Sequence, residues 1–91
     1  MDIRQSLSIL SLLRRRADEQ GLTVVAALHD LNLAGLFCDE LIFLKNGRVV
    51  CQGETATVLR PEIIREVYGV QAQVRHDAFT GCLQVSCKIS L

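Results

Sequence analysis

The run Thr23-Val-Val-Ala-Ala-Leu28 constrains the fold of this chain more than any other stretch, because it carries no charge and opens on β-branched residues. Near-continuous hydrophobicity, without alternation, predicts a strand covered on both faces, as strands inside parallel sheets are. Such a strand needs parallel neighbours joined by crossovers. The residue that follows it is His29. In open α/β sheets ligands bind beyond the carboxyl ends of the strands, so the sequence makes His29 a candidate site residue.

The flanking segments read locally. Asp2 can cap a helix from Ile3 to Gln20, Gly21 supplies its left-handed stop, and Ile3, Leu7, Leu10, Leu13 and Ala17 form one apolar stripe. Arg14, Arg15 and Arg16 precede Asp18 and Glu19 and read as a solvated face near the helix C-terminus. Asp30 can cap a short helix from Leu31 to Phe37, with Leu33, Leu36 and Phe37 packing back. Leu41–Lys45 and Arg48–Gln52 flank Asn46-Gly47, the dipeptide suited to the positive φ angles of a type I′ turn, which predicts a β-hairpin. A short helix over Glu54–Leu59 and another from Pro61 to a stop at Gly69 follow. Val70–Arg75 and Leu83–Ile89 then predict a second antiparallel pair around Asp77–Gly81.

Ninety-one residues, 49% of them hydrophobic, suit one small α/β domain that buries only roughly 60–65% of its unfolded surface. Ten acidic residues balance ten basic ones, which excludes the electrostatic footprint of a nucleic-acid binder. No apolar run approaches the roughly 20 residues a bilayer crossing requires, and the chain is expected in the cytosol. Cys38, Cys51, Cys82 and Cys87 contain no C-x-x-C pair and have no clustered histidine beside them, so no metal site is predicted. Two disulfides are the alternative to the expected buried, reduced thiols.

One physical difficulty remains. A parallel strand requires partners, yet every other predicted strand belongs to a hairpin, and an uncovered apolar strand edge is an aggregation template. The chain therefore reads as the tail of a larger α/β domain.

Leu28-His-Asp-Leu-Asn-Leu-Ala34 followed by Cys38-Asp-Glu-Leu-Ile-Phe-Leu-Lys-Asn-Gly-Arg-Val-Val-Cys-Gln-Gly53 resembles the ATP-binding subunit of an ABC transporter. Pro61-Glu-Ile-Ile-Arg-Glu-Val-Tyr-Gly-Val70 and the closing hairpin with Thr80-Gly81 resemble the importer branch for iron-siderophore, haem or cobalamin-type compounds. The resemblance covers essentially the whole chain but only the last third of such a subunit. It implies the C-terminal fragment of a P-loop NTPase domain: helix, parallel-type strand, short helix, β-hairpin, helices, terminal β-hairpin. Residues 1–59 would end the nucleotide-binding core, and residues 60–91 would be a C-terminal helix and hairpin extension. His29 matches the H-loop histidine that contacts the γ-phosphate, and Asp2 looks like the D-loop aspartate that reaches across the ATPase dimer. A helix cap explains Asp2 equally well. The parent would use ATP and Mg2+, would pair with a transmembrane permease subunit and a second ATPase subunit, and would sit on the cytoplasmic face of the membrane.

The departures are informative. The sequence has no G-x-x-x-x-G-K-[ST] phosphate loop, no apolar strand ending in paired acidic residues, no glutamine loop and no signature loop. The isolated chain is therefore expected to bind no ATP and to hydrolyse none. Met1 stands where the family commonly has leucine, which fits an upstream coding sequence lost or cut. The contrasting expectation is a free-standing, non-catalytic module that binds a partner through its exposed strand edge. A cysteine-based metal or redox protein is a third class, which the spacing does not favour.

Overall fold

A computed structural model describes residues 2–89. Met1 lies outside the described residues, as do the last two positions of the expected extension. The elements run α1 (Ile3–Gln20), α2 (Leu31–Phe37), β1 (Glu40–Lys45), β2 (Arg48–Glu54), α3 (Thr55–Val58), α4 (Pro61–Tyr68), β3 (Gln71–His76) and β4 (Leu83–Lys88). The result is a small α/β domain of helices and two antiparallel hairpins, β1-β2 and β3-β4.

Local chemistry sets most boundaries. Asp2 accepts the Gln5 N–H at 2.8 Å, and Gly21 closes α1 with φ 65°, its N–H bonding to the Ala17 carbonyl. Asn46 and Gly47 take φ of 52° and 74°, the two positive values a type I′ turn demands. Pro61 opens α4 with its ring in the first turn, and Gly69 ends it at φ 69°. At the second hairpin the Asp77 carboxylate accepts from the Thr80 N–H at 3.1 Å and from its hydroxyl at 3.0 Å, which builds the loop without a two-residue turn.

The core lies between the hairpins. Phe43 of β1, Val58 and Leu59 at the end of α3, Ile64 of α4 and Val85 of β4 are buried together, with Leu31, Leu41, Val67, Val74 and Leu83 packed around them. Residues on both sides of position 60 thus share one apolar cluster. Removing the Ile64 side chain, which is fully buried, would cost about 2–5 kcal/mol. Thr55 fastens α3 to the corner after α2, its hydroxyl donating to the Cys38 carbonyl at 2.6 Å and its N–H to Asp39.

The expected parallel strand at Thr23–Leu28 is not formed: the segment joins no ladder, and Val24 and Val25 are 43% and 91% exposed. The physical reason is the one that made the sequence difficult. Residue preference can extend the backbone, but a strand exists only beside another, and both sheets of the described residues are closed hairpin pairs. The stripe of α1 is also largely uncovered, with Ile3 62%, Leu7 37% and Leu13 36% exposed. No helix among the described residues is long and apolar enough to cross a membrane.

Candidate functional site

His29 lies in a bend at the end of the extended segment, one residue before the cap of α2. The corner is built by Asp30, whose carboxylate accepts the N–H of Asn32 at 2.8 Å and of Leu33 at 3.2 Å and so starts the helix just past the imidazole. His29 itself is exposed. It borders an open cleft of about 460 Å³ with Asp30, Leu31 and Asn32 on one side and Val85 and Cys87 of β4 on the other.

The opposite wall was not anticipated from sequence. Asn32 donates through Nδ2 to the Val85 carbonyl at 3.2 Å and accepts the Val85 N–H through Oδ1 at 2.6 Å. An asparagine between two leucines in a short helix is a local mismatch, since it is a poor helix former in an apolar setting. That mismatch is the one sequence signal that could have singled it out.

Asp2 is exposed at the far end of α1, occupied by its capping bond to Gln5. No hydrogen bond among the described residues joins Asp2 to His29. The two candidate residues are thus held by separate elements rather than gathered into one pocket.

Arg14 departs from the solvated face expected of the arginine triplet. It donates to the Phe37 carbonyl at 3.2 Å and to Asp39 at 2.8 Å, and it pairs with Asp18 at 3.2 Å. The hydrogen bond it donates to Asp39, then the nearby charge of Asp18, hold its guanidinium above its usual pKa. Arg15 and Arg16 remain exposed, as a solvated face predicts. The four cysteines carry free thiols, but none is buried: three are half-buried and Cys87 is exposed. Burial, reinforced by Asp39 and partly opposed by Arg14, pushes the Cys38 thiol up.

No protein-family model matches the chain. Individual relatives do match. The hemin import ATP-binding protein HmuV of Rhodopseudomonas palustris is 46% identical over 77 residues, which cover 85% of this chain and 28% of the relative. The cobalamin import ATP-binding protein BtuD of Halobacterium salinarum is 37% identical over 86 residues, 94% of this chain and 22% of the relative. The petrobactin import ATP-binding protein YclP of Bacillus subtilis is 32% identical over 75 residues, 82% of this chain and 30% of the relative. The chain is a relative of the ABC importer ATP-binding subunits. It spans only 22–33% of the length of the curated relatives it matches.

That kinship raises the question of whether these residues could hold a nucleotide. The cleft beside His29 is lined by one carboxylate, one amide, one thiol, apolar Leu31 and Val85, and neither lysine nor arginine. A triphosphate needs several converging donors and positive charge, so this wall of the ABC importer relative does not by itself fit ATP. No group of three or more metal-ligating side chains occurs among the described residues.

Proposed function

We propose that this chain corresponds to the C-terminal part of the ATP-binding subunit of an ABC importer for iron-siderophore, haem or cobalamin-type compounds. One observation carries the reading: an uncharged segment, Leu22–Leu28, that joins no strand ladder and is exposed as far as Ala27 leads directly into His29, in the order in which the family places strand and H-loop histidine. The match to relatives three or more times as long supports it.

In the parent, His29 contacts the γ-phosphate. A neutral imidazole can donate from one nitrogen to a phosphate oxygen, and its exposure at the corner leaves it free to do so. Asp2 combines its capping role with a contact across the ATPase dimer. Residues 1–59 close the nucleotide-binding core and residues 60–91 form its helix-and-hairpin extension. ATP and Mg2+ are held by other parts of the parent, and the 91-residue chain alone neither binds nor hydrolyses ATP. The parent works with a transmembrane permease subunit and a second ATPase subunit on the cytoplasmic face of the membrane, with no role for nucleic acid.

A chimera tests this. The matched stretch of the Rhodopseudomonas palustris hemin import protein is replaced by the corresponding residues of this chain, and Mg2+-dependent ATP hydrolysis is measured. The chimera is expected to turn over ATP, and His29→Ala to lower kcat by about a hundredfold, the usual cost of losing one transition-state donor. A folded, ATP-binding chimera whose turnover is unmoved by His29→Ala would refute the assignment.

A further inference from the structure

The terminal hairpin reaches the His29 corner through one side chain. The Asn32 carboxamide gives and takes the same pair of bonds at Val85, 2.6 and 3.2 Å, that a neighbouring strand would offer to the edge of β4. Three residues further along α2, Gly35 approaches β4 so closely that a Cβ there would stand 2.9 Å from the Leu83 carbonyl oxygen. Positions 32 and 35 lie on one face of the helix, so two contacts fix where α2 sits along β4.

Asp30 extends this linkage toward the imidazole. It holds the Asn32 backbone N–H at 2.8 Å while the Asn32 side chain holds Val85, so one continuous set of bonds runs from the residue next to His29 to the last strand. On its other side His29 is joined to the unpaired segment Leu22–Leu28, which offers it no ladder. Support for the corner therefore comes from the C-terminal direction.

We propose that Asn32 is a positioning residue and the β3-β4 hairpin the support of the His29 corner: the Asn32–Val85 pair sets where the imidazole is held. The consequence for phosphate contact rests on the function proposed above; the placement itself does not. The hairpin thereby acquires a role toward the site that its distance in sequence conceals.

The test uses the 91-residue chain without nucleotide, reading the His29 ring signals and the Val85 amide exchange by NMR. Asn32→Ala removes both bonds, and Gly35→Ala pushes β4 away from α2 at a point two turns from the histidine. Both are expected to move and broaden the His29 ring signals and to speed Val85 exchange by about tenfold, as local opening does. Lys45→Ala, which cuts the exposed bond to the Glu66 carbonyl that ties the end of β1 to α4, is expected to leave the His29 signals in place. Ring signals unmoved by either variant, moved by Asn32→Ala alone, or moved equally by Lys45→Ala would each overturn the proposal. Displaced His29 signals together with a chimera indifferent to His29→Ala would keep the placement and remove the phosphate role.

Discussion

Arg14 and its two neighbours show how identical residues diverge once the chain folds. Arg14 meets the Phe37 carbonyl and the Asp39 carboxylate at the corner after α2 as well as Asp18 on its own helix, whereas Arg15 reaches only Glu19 on that helix, at 4.0 Å. A charge triplet in a sequence carries no mark of which member faces a neighbour. The same corner controls thiol chemistry. Because burial and Asp39 raise the Cys38 pKa, less of it is thiolate at any given pH, and access is restricted as well. Alkylation at pH 8 followed by mass spectrometry is therefore expected to modify exposed Cys87 about tenfold faster than Cys38, with the difference vanishing in denaturant. Equal rates in the folded chain would mean that the corner opens freely.

Among the elements, those with a local start and stop were legible in advance. Asp2 and Gly21 bracket α1, Asn46-Gly47 dictates the first turn, and Pro61 and Gly69 frame α4, because each signal acts within four residues of its effect. The segment from Thr23 to Leu28 forms no strand among the described residues for the converse reason. Apolar β-branched residues favour extension, but pairing is a property of two segments. Tight packing was equally invisible. Gly35 stands mid-helix, where alanine has the better propensity by about 1 kcal/mol, yet a Cβ would press on the Leu83 backbone at 2.9 Å. Overpacking of that kind costs about 1–3 kcal/mol, so Gly35→Ala is expected to lower stability by about 1 kcal/mol net in a urea titration. A stabilised variant would show that α2 and β4 can separate without loss. The site was legible to the same degree: His29 could be picked out from its place after an apolar run, while the Asn32–Val85 contact joins positions 53 apart and leaves no periodic trace.

The molecule as a whole exposes more surface than its mass requires. Its 6976 Å² exceeds by roughly 1,700 Å² the roughly 5,300 Å² expected of a compact 10.1 kDa protein, and its radius of gyration, 13.7 Å, exceeds the roughly 12 Å expected for its length. Part of that surface is apolar side chain along α1 and the segment after it, where Ile3, Ile9, Leu12, Leu22, Val24 and Val25 are exposed and none joins the core of Phe43, Val58, Leu59, Ile64 and Val85. Hydrogen exchange is expected to be near the unprotected rate from residue 23 to 28 and slow in the core elements, and light scattering is expected to show association that grows with concentration. A monomer at every concentration, with that segment protected, would contradict the picture of an open edge. The long-range clasp at Asn32 has a consequence in time as well. A ribosome that has just made Asn32 must add 53 more residues before Val85 exists to receive it, roughly three to ten seconds at ordinary elongation rates. Throughout that interval the histidine corner is unbraced, and its assembly waits for the final strand to be translated.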